Sequence, residues 1–339
     1  MLEGRPLTGS DLERLKQFLK KMDLDYDEGI EYSVCILNDD YDIIATGSAE
    51  ENVLKCIAID PSCQGQGLSG TIISQLIQYE FEQGRSHILM YTKPKNQMMF
   101  EDLGFHTILK TSDVLFMENQ NRGFERFLER TAGETPEKAK KPGCAVGAIV
   151  ANCNPFTLGH RYLIEEALKQ CDWLHLFVLS DKRTYYGPEA RFQMVQKGTA
   201  DLERVILHRA SDYIVSAATF PTYFMKEKEG AKKANCRLDL ELFGSRIAPA
   251  LGITRRFVGT EPNCQVTDVY NETMKQVLPG YGISVTEIPR KEQAGQAISA
   301  SRVRAAVKAG EAEKIKELVP ESTWEYISRC EGSTAPQRM

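Results

Sequence analysis

The chain has 339 residues, 42% hydrophobic and 26% charged, the composition of an ordinary globular protein with room for about two domains. Its net charge of −5 excludes a general nucleic-acid binder, which carries a basic face, but not a nucleotide substrate, for which a few local basic groups suffice. The nine cysteines form no C-x-x-C pair and no Cys/His cluster of zinc spacing, so they read as reduced thiols and no dedicated metal site is visible. With no signal-peptide core and no run near the roughly 20 apolar residues that span a membrane, a cytoplasmic location is expected.

Ser10 and Glu13 suggest a capping box, and Leu12, Leu15, Phe18 and Leu19 follow at helical spacing. Strand-like runs come next: "YSVCIL", "DIIATGSA" and "VLKCIAI". The Gly-rich turn "DPSCQGQGLSG" leads into a helical run, "TIISQLIQYEFEQG". "HILMYT" is a strand, "NQMMFEDLGF" a helix and turn, and "DVLFME" a strand. This first half, residues 1–125, predicts a mixed α+β domain. The charged stretch 126–143, with two prolines, reads as a linker.

From residue 144 the pattern becomes strand–helix alternation. "AVGAIVA", "WLHLFVLS", "RVILHRA" and "RRFVG" are strands; Arg161–Cys171, "PEARFQMVQKGTA", "SRVRAAVKAG" and "AEKIKEL" are helices. Alternating units with near-continuous apolar strands predict a doubly wound parallel sheet over 144–331, an α/β fold. Residues 332–339 read as a disordered tail.

Such a sheet binds ligands at the carboxyl ends of its strands. There lies "NPFTLGH", Asn154 to His160, between an apolar strand and a helix. Free N–H groups and the dipole at that helix start favour an anion, and Gly159 leaves room for a phosphate to approach. His160 is then placed to donate to a phosphate oxygen as charge builds. The alternative is a capping turn with a structural histidine. "AISASRVRAAV" sets Ser299, Ser301 and Arg304 around a second helix start, either a second anion cradle or an N-cap with a solvated arginine.

Together these stretches resemble the HxGH nucleotidylyltransferase superfamily. The first motif reads Thr157-Leu158-Gly159-His160, the threonine variant. The second reads Ile298-Ser299-Ala300-Ser301-Arg302-Val303-Arg304, with Ala300 and Ser301 in place of the usual Ser-Thr. The resemblance implies attack on the α-phosphate of ATP, with magnesium arriving on the nucleotide. It implies reacting-phosphate contacts from His160 and Thr157, and ATP contacts from Asn154, Phe156, Gly159, Ser299, Ser301 and Arg304. Lys182, after "WLHLFVLS", matches a phosphate-binding lysine or is a loop lysine. Gly259, in "VGTEP", lies against the nucleotide or in a plain turn.

"CQGQGLSGTIISQLI" resembles the acyl-CoA-binding loop of GNAT acetyltransferases, [QR]-x-x-G-x-[GA]. Gln64, Gly65, Gly67 and Ser69 fill it, the last departing from Gly or Ala, and Asn96 with "EDLGF" matches the family's later helix. Backbone N–H groups in such a loop can cradle a pyrophosphate. No convincing catalytic base or acid is visible in this half.

The pairing of these two halves, with "NCNPFTLGHRYLIE" and "SAATFPTYFMK", resembles the [citrate (pro-3S)-lyase] ligase family over nearly the whole chain. That resemblance implies that acetate and ATP give acetyl-adenylate and pyrophosphate. The acetyl group then passes to the thiol of a dephospho-CoA-type prosthetic group on the acyl-carrier (gamma) subunit of citrate lyase, releasing AMP. The first half would grip that prosthetic arm. Three other readings stay open: adenylyl transfer to a phosphate ester, a GNAT protein acetyltransferase with a regulatory nucleotide domain, and a non-enzymatic nucleotide sensor. His87, His106, His175 and His208 read as packing or surface residues. Phe220, Pro221 and Tyr223 either line an acetate-sized pocket or belong to the core.

Overall fold

The computed structural model describes residues 1–27, 29–180, 184–216, 218–219, 236–260 and 265–332. Lys182, Glu261, Pro262, the aromatic group Phe220, Pro221 and Tyr223, and all but the first residue of the expected tail at 332–339 lie outside the described residues; Gly332 itself ends a helix. The chain divides into two compact units, one built mainly from Met1–Phe127, the other mainly from Leu128–Ser216 and the chain after Phe243.

The first unit runs β1 (Leu2–Gly4), α1 (Gly9–Lys21), β2 (Tyr32–Leu37), β3 (Ile43–Glu50), β4 (Val53–Ile59), α2 (Leu68–Glu82), β5 (Leu89–Thr92), α3 (Gln97–Asp102), β6 (His106–Lys110) and β7 (Leu115–Glu118). Its seven-stranded sheet has the order β1-β2-β3-β4-β5-β7-β6. Only β4 and β5 are parallel, as their crossover through α2 requires. α2 buries Ile72, Ile73, Leu76 and Tyr79 on the sheet. Gly47 lets it approach: a Cβ there would lie 2.5 Å from Ile72 and 2.8 Å from Leu76. β4 and β5 pair only at Val53↔Leu89 and Leu54↔Met90, and there the ladder stops, although β4 runs on to Ile59. The mixed first half expected from the sequence is present. The capping box is not: α1 starts after Thr8, with no side-chain cap.

α4 (Gly123–Gly133) corrects the linker reading. Residues 126–143 begin inside this helix, and Phe127, Thr131, Thr135 and Ala139 are buried. Starting the linker at 126 cut Phe124 from Phe127 and Thr131, which stand at helical spacing. Glu134 is held as well. It accepts from His208 Nδ1 at 2.6 Å, and His208 Nε2 meets His175 Nδ1 at 2.7 Å. Burial, then the charge of His208, holds His175 down at about 3, and burial, then the charge of Arg130, holds His208 down at about 4. These two histidines are core residues, as expected.

The second unit continues with β8 (Val146–Ala151), α5 (Leu158–Leu168), β9 (Trp173–Val178), α6 (Pro188–Gly198), β10 (Val205–Arg209), α7 (Ala248–Leu251), β11 (Arg255–Gly259), α8 (Gln265–Val277) and β12 (Ser284–Ile288). A short hairpin, β13 (Glu292–Gln293) and β14 (Gln296–Ala297), leads to α9 (Ala300–Ala309), α10 (Ala312–Lys316) and α11 (Glu321–Gly332). The five-stranded sheet is parallel throughout, with the order β10-β9-β8-β11-β12. Ile149, Leu174, Leu176 and Phe257 form its core with Ile164 and Ala167 of α5. The chain winds outward from β8 to one edge and returns to β11 on β8's other side. The strand order therefore reverses between β8 and β11, where ligands bind in open α/β sheets. The doubly wound sheet expected from the alternation is present. β12, α8 and α11 were not read from the sequence.

If residues 126–143 pack as described, Phe127→Ala should cost about 3 kcal/mol or more of stability, the usual loss for a buried phenylalanine. Chemical denaturation checks this; a change within about 0.5 kcal/mol, usual for surface sites, would restore the linker reading.

Candidate active site

β8 ends at the switch point, and Asn152 to Thr157 carry the chain into α5. Cys153 takes a left-handed conformation (φ 50°), uncommon outside glycine, and burial pushes its thiol up to about 12. A fully buried arginine, Arg191 on α6, braces the turn: it donates to the Asn152 carbonyl at 2.8 Å and to the Tyr186 carbonyl at 3.0 Å. Asn154 Oδ1 accepts from the Tyr186 N–H at 3.0 Å. Phe156 is fully buried, and its ring stacks on His160 with centroids 5.9 Å apart.

Thr157 caps α5, and His160 completes a capping box. The Thr157 hydroxyl accepts from the His160 N–H at 3.3 Å, and the Thr157 N–H donates to His160 Nδ1 at 3.1 Å. A nitrogen that accepts from an amide carries no proton, so the neutral imidazole bears its proton on Nε2. Burial, then the positive charge of Arg290, holds the His160 pKa down at about 4. Near neutral pH this histidine is an uncharged Nε2–H donor. It is a capping residue, the second alternative of the sequence reading, and its Nε2–H takes no part in the cap.

The helix end itself departs from expectation. The N–H groups of Thr157 and His160 are spent in the capping box, and that of Leu158 donates to the Leu318 carbonyl at 3.0 Å. Gly159 is needed for a different close approach: a Cβ there would lie 2.8 Å from the Ile298 carbonyl oxygen. The space over Gly159 is filled by protein backbone rather than left to a phosphate.

That contact joins the two motifs. Ile298 is buried, and Ser299 follows as the N-cap of α9, its hydroxyl accepting from the Arg302 N–H at 3.3 Å. Arg304 reaches back, Nη1 to the Asn154 carbonyl at 2.5 Å and Nη2 to the Ser301 hydroxyl at 3.0 Å. Asn154, Phe156, Thr157, Gly159, His160, Ser299, Ser301 and Arg304 thus share one locale. Gly259 ends β11 across the switch point, and a Cβ there would meet nothing within 4 Å. Arg290, just beyond β12, was missed by sequence reasoning, as were Arg191 and the Leu318 carbonyl. The signal for Arg290 was present: a basic pair, "RK", directly after a strand that went unread.

The Gly-rich loop of the first unit behaves differently. Gly65 (φ 81°) and Gly67 (φ 74°) are both left-handed, with no atom near a Cβ at either, so backbone conformation explains them. Gly67 is the N-cap of α2, whose first turn, with Ser69, has no side-chain cap. Gln64 is exposed on the same turn. Asn96 directly precedes α3, donating Nδ2–H to the Thr92 hydroxyl at the end of β5 at 2.9 Å.

The family model for the citrate lyase ligase C-terminal domain matches residues 146–327. The [citrate [pro-3S]-lyase] ligase of Klebsiella pneumoniae is 40% identical over 320 residues, spanning 93% of this chain and 92% of that one. The chain belongs to the citrate lyase ligase family. It is therefore an enzyme, a ligase, as its motifs led one to expect. Solved structures give weaker likenesses. Escherichia coli ElaA covers 34% of this chain and 93% of its own, at 12% identity and a TM-score of 0.30. Thermotoga maritima TmcAL bound with alpha-thio ATP covers 56% of each chain, at 13% identity and a TM-score of 0.36. The architecture rests on the strand orders, not on these likenesses.

The lowered pKa of His160 has a sign. Its folded value of about 4 lies below the ordinary 6.5, so its contribution to stability is fully present above pH 6.5 and is lost as pH falls toward 4. Thermal midpoints measured from pH 7 to 4 should fall across that window. His160→Gln, which keeps a capping partner, should flatten part of the fall.

Proposed function

We propose that this chain acetylates the thiol of the prosthetic arm on the acyl-carrier subunit of citrate lyase, using ATP and acetate through acetyl-adenylate. The observation that carries this reading is the junction of the two motifs at the sheet's switch point, Ile298 against Gly159 and Arg304 on the Asn154 carbonyl. Family membership supplies the lyase as the object of the reaction.

The chemistry balances without a covalent enzyme intermediate. A carboxylate oxygen of acetate attacks the α-phosphorus of ATP, forming a P–O bond. The bond from that phosphorus to the bridging oxygen breaks, and pyrophosphate leaves. The carrier thiolate then attacks the acetyl carbon, and AMP leaves with the pair of electrons. The first step moves no proton, which suits a histidine that is neutral and acts as a donor. His160 Nε2–H donates to the α-phosphoryl oxygen as charge builds on it, with Thr157 fixing the ring. Ser299, Ser301 and Arg304 hold the β and γ groups, and Asn154, Phe156 and Gly159 form the wall behind them. Lys182 is a further candidate contact, and Gly259 a place where the nucleotide approaches backbone. ATP enters as its magnesium complex. Among the described residues no three His, Cys, Asp or Glu side chains group to hold a metal.

The first unit is proposed to grip the prosthetic arm. Its pyrophosphate would rest on the uncapped first turn of α2, between Gln64, Gly65, Gly67 and Ser69. The arm would run along β4, where the ladder to β5 has ended, toward Asn96. The division is between a cytoplasmic ligase's activating half and its carrier-binding half.

ATP–pyrophosphate exchange that requires acetate tests the first step; exchange without it, or none in folded protein that binds ATP, would contradict it. His160→Ala should lower the exchange rate by about 100-fold or more, the usual loss of one oxyanion donor. Gly67→Val should raise the KM for the carrier and leave exchange unchanged, because a β-branched residue cannot hold φ 74° without strain. Loss of exchange in that variant would sink the arm assignment.

A further inference from the structure

The pairing of β11 with β8 stops at Arg256↔Ala148, although β8 runs on to Ala151 and β11 to Gly259. The two strands part there, at the carboxyl ends where the strand order reverses, and that is where an open α/β sheet takes a ligand. Gly259 is the last residue of β11, and Phe257 of the same strand shares a core with Ile164 of α5, the helix that carries His160. Neither conformation nor packing explains a glycine at this place. Its φ is not left-handed, and among the described residues nothing lies within 4 Å of where a Cβ would project. The space beside its backbone is open. With the ladder to β8 ended, a side chain serves its carbonyl: Asn271, in the middle of α8 and 2% exposed, donates Nδ2–H to it at 3.2 Å.

A carbonyl only accepts, so this bond fixes which end of the Asn271 carboxamide is nitrogen. Oδ1 is the other end of the same planar group, an uncharged acceptor held in place by burial. Among the described residues nothing donates to it. A polar atom on a side chain so deeply buried ordinarily has a partner, and the parted strands leave room for a ligand to supply one. That partner must be a donor. Acetate and the phosphates of ATP are ionised near neutral pH and offer none. The nucleoside of ATP does, in the exocyclic amine of the base and the ribose hydroxyls. We propose that Asn271 is a specificity-determining residue for the nucleotide, its Oδ1 accepting from the base amine or a ribose hydroxyl of ATP. This rests on the reading above that ATP binds at the switch point of the second sheet.

Calorimetry with magnesium–ATP and with analogues that each lack one donor separates the two sources. ITP carries a carbonyl in place of the base amine, and 2′-deoxy-ATP and 3′-deoxy-ATP each lack one ribose hydroxyl. The unaltered protein should bind one of these analogues about 10-fold more weakly than ATP, the scale of a buried acceptor left unpaired. Weaker binding of ITP identifies the amine, and weaker binding of a deoxy analogue identifies that hydroxyl. In Asn271→Ala the affinity for ATP should fall by about the same factor, and the discriminated analogue should then bind as well as ATP does. Asn271→Leu, which keeps the bulk of the side chain where alanine leaves a void, should lose the same discrimination. A merely structural asparagine would weaken ATP and analogue alike and leave their ratio unchanged. Equal affinity for ATP and all three analogues in the unaltered protein would overturn the inference without any variant, and so would a ratio that survives in both variants. Absence of acetate-dependent exchange in protein that binds ATP would fall on the acetyl-adenylate reading and leave these ratios to decide for Asn271. No binding of ATP by the unaltered protein would overturn both.

Discussion

The carbonyl of Ile298 occupies the volume where any side chain on residue 159 would project. That single approach brings the second motif onto the first, and the rest of the candidate site is arranged around it. It needs a glycine at 159, a hairpin that delivers Ile298 at the right depth, and an arginine one turn into α9 that reaches Asn154. Arg304 then closes the loop from the other side. Two segments about 140 residues apart become one surface, with no need for a disulfide or a metal.

The two glycine-containing helix starts use the same backbone freedom toward different ends. At α5 the amides of Thr157, Leu158 and His160 are consumed within the protein, by an imidazole, the Leu318 carbonyl and a hydroxyl. The Nε2–H of the neutral imidazole takes no part in that cap. At α2 the reverse holds, since Gly65 and Gly67 turn the chain and leave the first turn without a side-chain cap.

Much of this was legible because both motifs combine turn residues with an immediately following helical pattern. Thr157, Gly159 and His160, or Ser299 and Arg304, announce a helix start and a donor set in a few letters. The parallel sheet was legible because β8 and β9 are buried on both faces and so read as unbroken apolar runs. β12 was not, because Ser284–Ile288 is an edge strand with one fully buried residue, and Arg290 was lost with it. The start of α4 was lost because a window opened at residue 126 excludes Phe124. Sequence placed a phosphate over Gly159; only packing reveals that a carbonyl is there. Chain letters report which conformations are permitted, not which neighbour takes up the space.

The capping box at α5 has a consequence for how this position can change. The usual third residue of such a box is glutamate or glutamine, whose side chain bonds back to the cap's amide. Here an imidazole does that work with one nitrogen and keeps the other as a donor outside the cap. Replacement by glutamine or glutamate would restore the ordinary box and leave the helix start intact while removing the donor. On the proposed role of His160, fold and chemistry are separable at this one side chain: a descendant that had given up that role could keep the whole architecture, with a histidine turned into the residue most proteins use there.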